Sequence, residues 1–393
     1  MNKVEKCIVK FCTGCGLCSS VKGVELKEDA KGFSFPVIKS YEDFEFCKKV
    51  CPAVQKHNET RKTIWGNYEF VYAGWSSDKN IRKMASSGGV ISATLKYLLD
   101  FKLVDVVIQS AANRKQPWKT ETYCHSNPDN IIEFAGSRYS ISHTLSDINR
   151  YLNDESIKRI AFVGRPCEVS ALRNYMKMNS VAQNKIKYVL SFFCGGIPSE
   201  RANLKLIDAV GCEIDKLVKL SYRGNGWPGY YICTDSNGKR FMTSYNDSWG
   251  KYLGRDVAKA CRFCIDSLGE DADIACGDAW HQNSDGTPDF SEGDGRNVVL
   301  VRTKNGADLF TNMQLAGYVI TEPYDIGRLF SVQKSQYTRK STMLGKWLAL
   351  KLCNKTAPNY SLKCLLRLAK FCSVKDQFKA FKGTITRIKK GVI

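Results

Sequence analysis

Eight cysteines fall into spacings that suit metal or redox chemistry. Three stand in one tight run, Cys12, Cys15 and Cys18 of CTGCGLC, and a fourth precedes a proline at Cys51-Pro52. In bacterial two-cluster ferredoxins the run is C-x2-C-x2-C-x3-C-P, and the fourth cysteine of each run ligates the other cluster. Counting forward from Cys18 puts Lys22 in the fourth position of the first run; counting back from Cys51 puts Tyr41, Phe44 and Cys47 in the second. The crossover therefore predicts one complete 4Fe-4S site from Cys12, Cys15, Cys18 and Cys51, and a second that has lost its ligands. Cys47 is left over and is expected to pack as a small hydrophobe. Zinc also takes four thiolates, but usually from two separated C-x2-C pairs.

A second set is expected deeper in the chain. Cys167 follows IAFVGRP and Cys194 follows YVLSFF, each just beyond a run of buried-strand type and before a helix. If those strands are parallel neighbours, both thiols emerge on one sheet edge, where α/β folds place ligands. Cys261 and Cys264 of CRFC hold two thiolates on one turn and need two more from elsewhere. Cys167, Cys194, Cys261 and Cys264 are thus expected to form a second 4Fe-4S site, with Cys276 of IACGDAW as a competitor; singly, Cys167 or Cys194 also reads as a buried core cysteine.

A third constellation suits an anionic cofactor. Ser86, Ser87, Gly88 and Gly89 open an amphipathic helix, where small residues let backbone N–H groups approach a phosphate; a plain serine N-cap accounts for the same residues. Arg138, beside Ser137 in AGSRYS, and Arg223 in SYRGNGWPG stand among glycines and aromatics, residue types that grip a pyrophosphate and stack on a ring. His125, His143 and His281 are lone histidines and read as structural, and Asp278 of GDAW is a candidate pocket residue.

The elements that must position these groups follow from pattern. The chain has 393 residues, 43% hydrophobic and 25% charged, the balance of a folded protein with a large core. GFSFPVI (32–38) reads as a short strand inside a ferredoxin-like module over 1–57, and KHNETRK (56–62) as a polar linker. Over 62–330, strands at 104–111, 157–164 and 185–193 alternate with helical stretches such as VISATLKYLLDF and HTLSDINRYLND, predicting an α/β core. Asn237-Gly238 between two alternating runs predicts a hairpin, hence a mixed sheet. The fold class is α+β or α/β: ferredoxin-like module, mixed-sheet α/β core, basic helical tail.

The tail, 331–393, carries 15 basic residues against one acidic residue, Asp376, of a net charge of +20. By charge it reads as an object separate from the core, made of amphipathic helices that suit peripheral contact with an anionic membrane surface or an acidic electron donor, or equally a solvated helical appendage packed on the core. No nucleic-acid binding motif accompanies the charge, so no nucleic-acid partner is expected. MNKVEKCIVK shows no secretory signal and no apolar run reaches ~18 residues, so the expected location is cytoplasmic, peripheral at the inner face of the membrane if the tail binds lipid. In a reducing compartment, 17 cysteines are not expected to be a disulfide framework, and the clustered ones are better read as metal or redox ligands.

As an ordered set, CTGCGLC, CP at 51, SSGGV, AGSRY, FVGRPCE, CGGIPS, YRGNGW, CRFC and ADIACGDAW resemble the coenzyme F420 hydrogenase/dehydrogenase beta-subunit family of iron-sulfur flavoproteins, in the form found in bacterial polysaccharide loci. The resemblance implies FAD, one or two 4Fe-4S clusters, and electron transfer between a ferredoxin-like carrier and an organic acceptor, sugar-linked or a deazaflavin. It implies Ser87, Gly88, Gly89, Ser137 and Arg138 around the flavin and Cys167, Cys194, Cys261 and Cys264 at the inner cluster. GRPCE and CGG differ from the more usual Gly-Thr-Pro-Cys-Gln and Cys-His-Gly. An iron-sulfur flavoprotein oxidoreductase is the expected activity, with an electron-transfer subunit serving a partner enzyme as the alternative.

Overall fold

A computed structural model describes residues 2–55 and 63–393. The polar linker expected at 56–62 lies outside the described residues. In the N-terminal module, β1 (Val24–Glu28) and β2 (Ser34–Ile38) form an antiparallel pair between helices α1 (Lys3–Lys10) and α2 (Tyr41–Val50). The remaining strands are β3 (Phe70–Ser76), β4 (Val106–Ala112), β5 (Thr120–His125), β6 (Ile160–Gly164), β7 (Ile186–Phe192), β8 (Leu217–Ser221), β9 (Tyr230–Asp235), β10 (Arg240–Ser244), β11 (Ile274–Asp278), β12 (Asn297–Val301) and β13 (Val319–Pro323).

Eight of these form one mixed sheet in the order β13-β3-β12-β11-β7-β6-β4-β5. Its centre, β4-β6-β7-β11, is parallel, and the flanks are antiparallel. β6 (IAFVG) and β12 (NVVLV) are buried along their whole length, as strands covered on both faces must be. Alternate residues of β6 serve the two faces. Ala161 and Val163 pack with Leu95, Leu98 and Leu99 of α3 (Val90–Asp100), whereas Ile160 and Phe162 pack with Val169 and Leu172 of α4 (Pro166–Met176).

The three expected strands are present as β4, β6 and β7, and VISATLKYLLDF forms α3. HTLSDINRYLND is helical only over Ile148–Asn153. The start is held out of the helix because His143 adopts a left-handed backbone (φ 47°) and the Thr144 hydroxyl donates to the buried Glu168 carboxylate. The Asn237-Gly238 hairpin joins β9 to β10, but in a separate three-stranded sheet, β10-β9-β8; the mixed character of the main sheet comes from β5, β12, β3 and β13 instead.

The basic tail is helical but not a separate object. After α5 (Lys304–Leu315) come α6 (Lys334–Ser341), α7 (Met343–Leu352), α8 (Leu362–Ala369) and α9 (Val374–Lys389). Met343, Leu350, Leu365 and Leu368 share one hydrophobic cluster with Ile8 and Phe11 of the N-terminal module and Phe263 beside the CRFC turn. At the foot of the tail the Lys340 ammonium, 2% exposed, pairs with the Glu270 carboxylate and donates to the Ile64 carbonyl at 2.5 Å. Burying an amphipathic face against three segments of the chain outweighs the self-repulsion of its lysines, most of which stay at the surface.

Candidate iron-sulfur and cofactor site

The first thiol set is built by a loop and a helix end. Cys12, Cys15 and Cys18 follow α1 on a loop turned by Gly14 and Gly16, both left-handed (φ 62° and 86°). A Cβ on Gly16 would stand 2.4 Å from the Ser146 Oγ and 2.7 Å from the His143 carbonyl, so only glycine lets this loop lie against the core. The Leu145 amide donates to the Cys15 carbonyl at 3.0 Å, and the Gly14 amide to the Cys12 Sγ at 3.3 Å. Cys51 caps α2, its amide bonded to the Cys47 carbonyl at 2.8 Å. The Cys51 thiol is pushed well up by burial and feels Cys15, Cys12 and Cys18, which places all four in one electrostatic neighbourhood. Cys47 is fully buried in the cluster with Ile8 and Val24, and its thiol meets Cys18, whose own thiol is held protonated first by that contact and then by burial. Of the other positions of the lost run, Tyr41 is 71% exposed.

The second set sits at the sheet edge. β6 and β7 are parallel neighbours, so Cys167 and Cys194 leave the sheet on the same side. Cys167 is the second residue of α4, with Arg165 as N-cap and Pro166 opening the helix. The Ile197 amide donates to the Cys261 Sγ at 3.3 Å, and the Cys264 thiol donates to the Asp266 carbonyl at 3.0 Å. Cys167, Cys194, Cys261 and Cys264 line one small cavity of about 60 Å³. Burial pushes the Cys261 thiol up to about 11 and the other three upward as well, the ordinary state of a thiol among apolar walls. Cys276 is buried in the main core and does not line this cavity; its thiol is raised by burial alone. Among the described residues no group of three or more His, Cys, Asp or Glu side chains is arranged to hold a metal ion.

The tail closes this cavity. Arg339 and Tyr360 line it, the Arg339 guanidinium donating to the Cys261 carbonyl at 3.2 Å and the Tyr360 hydroxyl to the Phe263 carbonyl at 2.6 Å. Sequence reasoning missed both, because the only signal was a basic amphipathic pattern that does not say which surface it covers.

A second cavity of about 830 Å³ opens beside the first, within the size range of a site that encloses a large organic ligand. Ser87, Gly89, Ser137, Arg138 and Arg223 line it. Gly88 does not; it packs against the sheet, where a Cβ would stand 2.6 Å from the Gly74 carbonyl and 2.8 Å from the Asn297 amide. Gly88→Ala is expected to push the loop off β3 and β12 and cost about 1–3 kcal/mol, read as a lower denaturation midpoint. Gly89 (φ 77°) caps α3, and the first helical amide, of Val90, already donates to the Asn297 side chain at 3.2 Å.

The two arginines are largely committed. Arg138 donates to the Pro117 and Lys119 carbonyls at 2.6 and 2.8 Å and to that of Leu220 at 3.3 Å, stacking 4.8 Å from the Tyr222 ring centroid. Arg223 forms a fork with Asp278, both N···O distances 3.0 Å, and lies over Tyr245 and Trp280. The Trp227 indole donates to the same carboxylate at 2.9 Å and stacks on Trp280 at 4.5 Å. Of the five N–H groups of each guanidinium, these bonds use four on Arg138, the fourth to the Thr120 hydroxyl at 3.4 Å, and three on Arg223, the third to the Pro228 carbonyl at 3.0 Å. Asp278 ends β11, which runs parallel to β7, so it stands on the same edge as the inner thiols.

Residues 71–149 match the sequence profile for the N-terminal part of the coenzyme F420 hydrogenase/dehydrogenase beta subunit, and residues 157–326 match the profile for its C-terminal part. The chain belongs to this family. It is 25% identical over 307 residues to the coenzyme F420 hydrogenase subunit beta of Methanococcus voltae, covering 73% of this chain and 98% of the relative. It is 26% identical over 336 residues to the F420-dependent formate dehydrogenase subunit beta of Methanocaldococcus jannaschii, covering 79% and 80%. Its fold matches a chain of the xenon-derivatised F420-reducing [NiFe] hydrogenase complex from Methanosarcina barkeri with a TM-score of 0.60 at 21% identity, covering 76% and 98%. Residues 12–51 and the tail lie outside the two matched profiles. Among the described residues no helix is long and apolar enough to cross a membrane.

Proposed function

We propose that this chain is an electron-transfer subunit of an oxidoreductase, in which an outer 4Fe-4S cluster on Cys12, Cys15, Cys18 and Cys51 and an inner one on Cys167, Cys194, Cys261 and Cys264 connect a partner to a flavin in the large cavity. The observation that carries this reading is that Cys194 lines both cavities. The donor sets are soft thiols, the ligands that iron-sulfur clusters take. When bound, the clusters supply one-electron transfer and FAD a two-electron step. The chain's own part is to bind and shield: Ser87, Gly89 and Ser137 offer a polar wall, Arg223 and Asp278 hold each other and the aromatic wall in place, and the tail covers the inner thiols. The relatives bear the names of hydrogenases and dehydrogenases, which favours a partner enzyme over a free-standing catalyst.

A second reading, turnover of a small organic substrate by the chain itself, sugar-linked or a deazaflavin, draws on the volume of the large cavity. The basic surface of the tail suits a ferredoxin-like or other acidic electron partner; cytoplasmic location with peripheral contact at an anionic membrane belongs to the same reading and is tested by sedimentation with anionic vesicles. The deciding experiment is anaerobic purification followed by iron, sulfide, zinc and flavin assays on one sample. Roughly eight irons and one FAD per chain are expected. Four irons would remove one thiol set from the proposal, and zinc without flavin would overturn it. Turnover by the isolated chain with a chemical reductant would favour the second reading.

A further inference from the structure

Between the two thiol sets lies a buried cation. Arg165 is 6% exposed. It caps α4 two residues before Cys167, and its Nη2 donates to the Glu168 Oε1 at 2.5 Å, to the Ser142 Oγ at 3.0 Å and, more weakly, to the carbonyl of Gly14 at 3.5 Å. Gly14 stands between Cys12 and Cys15, so one guanidinium bridges the loop of the outer set and the helix of the inner set. Glu168 is fully engaged: its carboxylate also accepts from the Arg165 amide at 2.7 Å, the Ser142 hydroxyl at 2.8 Å and the Thr144 hydroxyl at 2.9 Å. That grip fixes the guanidinium without satisfying it. Its Nε and Nη1 are buried with no hydrogen-bond partner among the described residues, and donors buried without an acceptor are costly to keep. Cys12 of the outer set and Cys261 of the inner set feel this positive charge, the latter after that of Arg339; Cys15, Cys167 and Cys194 feel it together with the opposing Glu168 carboxylate, which is the stronger of the two at Cys15.

We propose that Arg165 is a positioning residue for electron transfer: a buried guanidinium on the wall of the large cavity, anchored by Glu168 and tied to the outer loop, whose unpartnered Nε and Nη1 donors serve cluster sulfur and raise both reduction potentials. Hydrogen bonds to the sulfurs and net local charge are the terms that set such potentials, and a guanidinium stays charged at any working pH. One cation shared by two clusters shifts their potentials in the same direction. This inference rests on the reading of the two thiol sets as cluster ligands.

The test is a potentiometric titration followed by electron paramagnetic resonance on the anaerobically purified full chain, comparing wild type, Arg165→Lys and Arg165→Met. Iron and sulfide are counted first: a wild type without two clusters sinks the cluster reading itself, independently of Arg165. With clusters intact, Arg165→Met is expected to lower both midpoints by at least a tenfold change in the reduced-to-oxidised ratio, about 59 mV for a one-electron couple, and Arg165→Lys to recover part of it. Should Arg165→Met fail to fold because Glu168 is left unpaired, Arg165→Met with Glu168→Gln removes the pair as a unit and is read against Glu168→Gln alone. Unchanged potentials in either couple, with iron retained, would overturn the inference.

Discussion

Cys51→Ala is expected to cost the purified chain half its iron, roughly four atoms, and Cys47→Ala none. The two residues are one helical turn apart at the end of α2, so a general disturbance of that helix would affect both alike. The crossover pattern separates them: Cys51 shares an electrostatic neighbourhood with Cys12, Cys15 and Cys18, whereas Cys47 is packed at 0% exposure in a hydrophobic cluster. Cys47 does touch Cys18, so its truncation is expected to lower stability by about 1 kcal/mol while leaving iron content unchanged. Iron assay of the two variants prepared side by side decides the matter, and equal loss in both would refute the outer ligand set.

The second large effect is expected at the root of the tail. Lys340→Ala removes the ammonium that pairs with the Glu270 carboxylate, itself 0% exposed, and empties a buried volume. Breaking a buried pair by removing one partner typically costs about 3–5 kcal/mol, so the urea midpoint followed by tryptophan fluorescence should fall markedly. The double variant Lys340→Met with Glu270→Gln should recover much of the loss, because both charges of the pair are then removed together. Since Arg339 is the neighbouring residue and lines the inner thiol cavity, Lys340→Ala is also expected to release iron faster to a chelator. Chelator sensitivity equal to wild type would show that the tail's anchor does not guard the inner thiols.

Several features were legible in the sequence because they depend on near neighbours. Three cysteines at three-residue spacing with glycines between them can only form a tight loop, and Gly14 and Gly16 supply its left-handed turns. Cys167 and Cys194 could be set on one edge as soon as their strands were taken as parallel neighbours, which β6 and β7 are. The hairpin at Asn237-Gly238 was equally local. Its sheet was not, since which strands pair is decided by long-range burial rather than by the turn. The same limit explains HTLSDINRYLND, whose first half is drawn out of a helix by bonds to Glu168, 24 residues away from Thr144.

The sequence by itself determined the chemistry on offer: eight thiols in two spaced sets, a small-residue loop at the start of a helix, and a basic amphipathic tail. Tertiary structure alone decided what each faces. It drew Cys167 and Cys194 to the same cavity as a C-x2-C pair some 70 residues further on, tied Arg223 to Asp278 and Arg138 to backbone carbonyls, set Arg165 between the thiol sets, and folded the tail over the inner one. The physical reason is one of range. Spacing and periodicity record bonds made within a few residues, whereas buried charges find partners, and apolar faces find cover, only among segments that the finished sheet brings together.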